Sequence, residues 1–132
     1  MDSLKEKFAN KALPMVDEIK AIRKEHGDFV LGQYTVDQVY TGMKGMIGMV
    51  TETSKLDPEE GIRFRGYSIP ELREKLPHSS EGPEPLPEGI FYLLLTGEIP
   101  TYDDVVHVNN EWMKRANVPK HVFDMLDMLP PK

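Results

Sequence analysis

The sequence predicts a mainly α-helical protein with about six helices and one β-hairpin. Apolar residues recur at intervals of three and four through most of the chain, which is typical of helices with one buried face. Strict alternation of apolar and polar residues is confined to one short region around residues 50–65. The length of 132 residues suits one domain, and 11 prolines with 10 glycines predict short elements separated by turns.

The first predicted helix spans residues 3–26. Ser3 and Glu6 have the spacing of a capping box, and Gly27 follows as a stop signal. Pro14 lies inside the pattern and removes one backbone hydrogen bond, so we expect the helix to be bent or interrupted there. The apolar stripe of this helix consists of Leu4, Phe8, Ala12, Val16, Ile19 and Ile22.

A second, short helix is predicted from the cap residue Thr35 to Gly42, and a glycine-rich segment follows at 42–48. Glycine permits positive φ, so this segment predicts a tight, irregular turn. Lys44 lies in the turn, where exposed backbone N–H groups can hold an anion. The segment matches neither a Walker motif nor Gly-x-Gly-x-x-Gly, and a purely structural turn is the alternative.

The hairpin is predicted from alternating segments at 50–54 and 62–65, with turn-forming residues at 56–61 between them. Arg63 and Arg65 are two residues apart, so on a strand both guanidinium groups face the same side. Such a pair can clamp a carboxylate or a phosphate. The alternative partners are the acidic residues of the hairpin itself: Asp57, Glu59 and Glu60.

Four further helices are predicted in the second half of the chain, with a proline-containing loop at 78–87. Their starting residues are Ser68, Pro87, Thr101 and Pro119. The helix ending at Gly97 is apolar on nearly every side, so we expect it to be buried on nearly every side. The last helix leaves an apolar face unassigned, which predicts a partner or additional chain against it.

Composition excludes several classes of function. A net charge of −6 argues against nucleic-acid binding, and the absence of cysteine excludes disulfides and thiolate chemistry.

No apolar run reaches the roughly 20 residues of a membrane span, and no secretory signal or transit peptide is visible at the N-terminus. No metal site is predicted, because the four histidines lack helical ligand spacing: His26, His78, His107 and His121. We interpret His107 and His121 as solvated or core residues.

Three motifs resemble one known family. The segments 42–46, 52–71 and 84–101 are similar to citrate synthase of the eukaryotic, mitochondrial type, and 56–71 is a long, gap-free match. The resemblance runs in register from about residue 4 to residue 129. It implies that residues 1–132 form the N-terminal part of the large helical domain, with the rest of that domain and the small domain absent from this chain.

The resemblance also implies which residues of this chain have a catalytic, substrate-binding or structural role. The family condenses acetyl-CoA with oxaloacetate to citrate and CoA in the mitochondrial matrix, as a homodimer whose subunit contact includes the region like 119–129. None of the four histidines falls on a catalytic position, so no catalytic residue, metal or bound cofactor is transferred to this chain. Lys44 replaces an arginine near the CoA phosphates, and Arg63 with Arg65 supports the site structurally.

Two interpretations of the chain follow from this resemblance. In the first, it is a piece of a citrate synthase that supplies scaffold and dimer surface. Its partner is then the missing C-terminal part or a second subunit, and the chain alone is inactive. In the second, it is a non-enzymatic remnant of the fold that serves as a structural subunit of a larger assembly. The retained motifs favour the first interpretation, since local signals along the chain are mutually consistent.

Overall fold

The computed structural model describes residues 3–80 and 82–131 and confirms the mainly α-helical prediction. The chain divides into two units, Met1–Gly66 and Tyr67–Lys132. The first unit contains α1 (Leu4–His26), α2 (Val36–Tyr40), β1 (Ser54–Asp57) and β2 (Gly61–Phe64). The second unit contains β3 (Tyr67–Ser68), α3 (Ile69–Lys75), α4 (Pro87–Thr96), α5 (Tyr102–Arg115) and α6 (Lys120–Asp127).

Helix α1 continues through Pro14, so of the two outcomes predicted there the interruption does not occur and the bend stays a prediction. Its N-terminus has the predicted capping box, in which the Ser3 side chain accepts from the Glu6 N–H and the Glu6 carboxylate accepts from the Ser3 N–H. The helix ends before Gly27, which has φ −59° and is not left-handed. Glycine is needed there for another reason, because a β-carbon would clash with the Arg23 carbonyl oxygen.

The hairpin forms from β1 and β2 in antiparallel register, but its first strand begins at Ser54 and not at residue 50. The strand also includes Asp57, which the sequence analysis assigned to the turn. The reason is local. The Asp57 carboxylate accepts hydrogen bonds from the backbone N–H groups of Glu59 (2.9 Å) and Glu60 (3.0 Å). These hydrogen bonds start the turn directly after Asp57, so the turn contains fewer residues than predicted.

The second unit contains a core that we call the α3–α5 cluster. Its buried apolar residues are Leu72, Leu76, Tyr92, Leu93, Val105 and Val108, and its buried polar residues are Glu88, Thr96 and Asp104. Helices α4 and α5 pack on each other, and Gly89 of α4 lies against Leu76, which a β-carbon on Gly89 would approach to 3.5 Å. Fully burying a large apolar side chain contributes about 1.5–3 kcal/mol.

Helix α4 is less completely covered than its sequence predicts. Leu93 is 0% exposed, but Phe91 on the same helix is 37% exposed. The Phe91 ring meets Trp112 of α5 edge to face, with ring centroids 5.1 Å apart. A single neighbouring helix covers only one side of an apolar helix, and the edge contact at Phe91 covers that ring only in part.

Two helices present apolar faces to solvent. The exposed apolar residues of α1 include Phe8, Val16, Ile19 and Ile22, and those of α6 include Phe123, Met125 and Leu126. None of the described residues 3–66 is buried. The unassigned apolar face predicted for the last helix is therefore present in the structure. Among the described helices, none is both long enough and apolar enough to cross a bilayer.

Candidate functional site

The glycine-rich turn that carries Lys44 follows helix α2, and a capping box fixes the start of that helix. The Thr35 side chain accepts from the Gln38 N–H at 3.2 Å, and the Gln38 side-chain oxygen accepts from the Thr35 N–H at 3.0 Å. The amide nitrogen of Gln38 then donates to the Lys44 carbonyl at 3.3 Å. One side chain thus caps the helix and also holds the turn.

The path of the turn depends on left-handed residues, as its glycines predict. Gly42, Met43 and Gly45 have φ of 81°, 63° and 73°. A non-glycine residue seldom adopts this conformation, and Met43 is held in it by its N–H, which donates to the Gln38 carbonyl at 2.8 Å. Lys44 is exposed, and no described residue pairs with its ammonium group. The turn therefore offers a free cation with three donors.

Arg63 interacts with the hairpin itself, as the alternative interpretation predicted. Its Nε donates to the Glu60 carboxylate at 2.9 Å, and a terminal nitrogen donates to the Gly66 carbonyl at 3.0 Å. The guanidinium is thus engaged by a neighbouring acid and by the backbone where the strand ends. This geometry braces the hairpin.

Arg65 does not lie on the strand, so the prediction that it shares a side with Arg63 rests on a wrong premise. Strand β2 ends at Phe64, and Arg65 and Gly66 have φ of 49° and 87°. Two successive left-handed residues are typical of a type I′ turn, and the unpredicted strand β3 follows. A terminal nitrogen of Arg65 lies 4.0 Å from the Glu52 carboxylate. The two-arginine clamp expected from alternation is therefore not set by the strand.

Two residues that position the turn were missed as site residues. Gln38 stands three residues after Thr35, which is the spacing of a capping box, so a sequence signal existed. Tyr34 donates from its hydroxyl to the Ile47 carbonyl at 2.9 Å, across the turn. No local sequence pattern predicts that hydrogen bond, because it joins residues 13 positions apart.

The histidines do not assemble a site within the described residues. His78 contacts the Arg73 carbonyl through Nε2, so that nitrogen is the donor, near the end of α3. The Nε2 of His107 is buried on α5 without a hydrogen-bond partner in the described part of the chain. No group of three metal-binding side chains occurs among the residues that the structure describes.

The Asp57 carboxylate is expected to make the hairpin turn sensitive to acid. Hydrogen bonds from the Glu60 and Glu59 N–H groups lower the pKa of Asp57 from its ordinary value of 3.8. A lowered pKa means that the carboxylate stabilises the folded turn above 3.8 and loses this contribution as pH falls below it. We expect the Glu59 and Glu60 amide proton shifts, followed by NMR, to titrate with a midpoint below 3.8.

Asp57→Asn is the control for this titration, because it keeps a side-chain acceptor for both N–H groups and removes the ionisation. In that variant the transition with a midpoint below 3.8 should be absent from both amide shifts, whereas Asp57→Ala should lose the turn at every pH. A midpoint at or above 3.8 in the unmodified chain would contradict the assignment of these hydrogen bonds.

Comparison with known proteins places these features in a family. The family profile described as "Citrate synthase, C-terminal domain" matches residues 42–132, which include the Lys44 turn, the hairpin and the whole α3–α5 cluster. The chain belongs to the citrate synthase family.

Two curated relatives match a longer part of the chain than the family profile does. The mitochondrial 2-methylcitrate synthase of Yarrowia lipolytica is 54% identical over 130 residues, which are 98% of this chain and 28% of that protein. The mitochondrial citrate synthase of Xiphias gladius is 59% identical over 112 residues, which are 85% of this chain and 24% of that protein. The chain therefore spans about a quarter of the length of these relatives.

Proposed function

We propose that this chain functions as part of a mitochondrial citrate synthase, which condenses acetyl-CoA with oxaloacetate to citrate and CoA. The observation that carries the proposal is the continuous family match from residue 42 to residue 132. The identities of 54% and 59% to two mitochondrial relatives support it and support the mitochondrial matrix as the location. The assignment of residues 1–132 to the N-terminal part of the large domain belongs to the same proposal.

Within such an enzyme the chain contributes scaffold, dimer surface and one substrate contact. The catalytic histidines and aspartate expected for the reaction lie outside these residues, so this chain contributes no proton transfer. The apolar face of α6 is the part we assign to the subunit contact of a homodimer. A large exposed apolar surface favours a protein partner over solvent, and Phe123 and Leu126 present such a surface here.

Lys44 is the residue we assign to CoA. The ammonium group is exposed and has no partner among the described residues, and the turn beneath it is fixed by Gln38 and Tyr34. A lysine donates as a point charge and lacks the fork of the arginine expected from the family. A phosphate contact through Lys44 would therefore supply charge without bidentate geometry. Arg63 and Arg65 brace the neighbouring hairpin.

A chimeric enzyme tests the proposal directly. The matching segment of the Xiphias gladius protein is replaced by the 112 residues of this chain that align with it. CoA release is then followed with acetyl-CoA and oxaloacetate. We expect kcat/KM within about tenfold of the parent, which is a loss below about 1.4 kcal/mol of transition-state stabilisation. The isolated 132-residue chain should give no turnover above the background rate.

The chimera also separates the two interpretations of the chain. An inactive chimera that still folds and dimerises would contradict the enzymatic role and support a non-enzymatic structural subunit. Turnover by the isolated chain would contradict the expectation that all catalytic residues lie elsewhere.

Lys44→Ala in the active chimera should raise the KM for acetyl-CoA and leave the KM for oxaloacetate nearly unchanged. Loss of one charged hydrogen bond should cost about 1 kcal/mol, or roughly a fivefold rise in KM. Lys44→Arg is the matched control, and it should retain or lower the KM for acetyl-CoA, because it restores the bidentate fork. Equal changes for both substrates, or no change, would refute the assignment of Lys44 to CoA.

A further inference from the structure

We infer that the α3–α5 cluster is a cooperative folding unit of its own, and that the segment bearing Lys44 opens and closes without it. This inference does not depend on the proposed enzymatic activity. It concerns which parts of the chain share one unfolding transition. Regions with few buried apolar contacts and exposed backbone hydrogen bonds open at a lower free-energy cost than packed cores.

The first observation is the distribution of burial. Every buried apolar side chain among the described residues lies between Leu72 and Val108. None of the described residues 3–66 is buried. Burial of apolar surface is the main source of cooperativity, so the two parts of the chain differ in what holds them folded.

The second observation is that long-range contacts tie the helices of the cluster together. The Asn109 amide on α5 donates to the Glu88 carboxylate on α4 at 2.6 Å, across 21 residues of sequence. Phe91 meets Trp112 across the same pair of helices, and Gly89 brings α4 close to Leu76. Helices α4 and α5 are therefore stabilised by each other, and Leu76, directly after α3, packs on α4, so we expect the cluster to open as one unit.

The third observation is that the Lys44 segment is held by solvent-exposed hydrogen bonds. The side-chain anchors of the turn are Gln38 to the Lys44 carbonyl and Tyr34 to the Ile47 carbonyl, and both are exposed. Water competes for exposed hydrogen bonds, so each contributes little net free energy. Opening of this segment breaks no buried contact among the described residues.

Hydrogen exchange of the full 132-residue chain tests the inference. The slowest amides should lie in α4 and α5 and exchange together, at least about tenfold more slowly than those of α1 and residues 28–53. Slowest exchange in α1 or in 28–53 would overturn the inference, and so would equal exchange rates throughout.

Two adjacent valines provide a matched pair of variants. Val105 is 2% exposed and Val106 is 40% exposed. Val105→Ala should accelerate exchange by a common factor throughout α3, α4 and α5, and should leave α1 and the Lys44 segment unchanged. Val106→Ala should leave all of these rates close to those of the unmodified chain. Acceleration confined to α5, or a simultaneous loss of protection in the first unit, would overturn the proposed independence.

Discussion

Replacing Leu93 with alanine is expected to remove most of the stability of the α3–α5 cluster. Leu93 is 0% exposed and lies on α4, which packs against α5. Truncating such a leucine removes its transfer free energy and leaves a cavity, for a total loss of about 2–5 kcal/mol. A whole domain is stable by only about 5–15 kcal/mol, and this cluster is smaller than most domains. Urea denaturation followed by circular dichroism should therefore show a markedly lower midpoint or no cooperative transition.

Leu126→Ala is the control for this experiment. It makes the same chemical change on α6, where Leu126 is 53% exposed. Surface substitutions of this kind change the free energy of unfolding by less than about 0.5 kcal/mol. Similar midpoints for both variants would show that Leu93 is not at the centre of the core.

The isolated 132-residue chain should bind a hydrophobic dye and self-associate. The apolar faces of α1 and α6 are exposed, and Phe123 and Leu126 form part of a continuous stripe. Exposed apolar patches of this kind are usually interaction sites or aggregation liabilities. The chain should bind the dye at all protein concentrations tested, and the apparent molecular mass from light scattering should rise with protein concentration. This prediction concerns the chain by itself and does not require any catalytic partner.

Polar substitutions on α6 test whether its apolar face is the surface that binds the dye and self-associates. Phe123→Gln combined with Leu126→Gln should reduce both dye binding and association, because these changes interrupt the stripe. Met128→Gln is the control, since Met128 is the C-cap of α6 and lies outside the helix that carries the stripe. A monodisperse monomer that does not bind the dye would mean that the chain's own residues complete its core.

Four of the six described helix starts were predictable because they depend on residues three apart, and the other two begin at Pro87 and next to Pro119. Capping boxes begin four helices, with cap residues at Ser3, Thr35, Ser68 and Thr101. A Ser or Thr side chain accepts from the N–H three residues later, and an acidic or amide side chain there accepts in return. Such pairs form wherever the local sequence permits, so the order of the helices could be predicted from spacing alone. The glycine turn around Lys44 was predictable for the same local reason.

The limits of elements were less predictable, because competing local and distant contacts decide them. The interruption expected at Pro14 does not occur, since the capping box of α1 and its basic last turn stabilise both ends of one continuous helix. The first hairpin strand begins at Ser54, and the Asp57 carboxylate closes the turn after it. Arg65 is left-handed, a conformation that alternation does not anticipate.

By itself, the sequence determined the helical class, the helix starts, the glycine turn and the family resemblance. The tertiary structure decided which apolar faces become buried, because burial depends on neighbours that lie far away in sequence. The Asn109–Glu88 hydrogen bond spans 21 residues, and the Tyr34–Ile47 bond spans 13. Leu93 and Phe91 are both apolar and lie on one helix, yet only Leu93 is fully covered. Apolar periodicity predicts which face of a helix can be buried. Whether that face is buried depends on how the other helices pack against it.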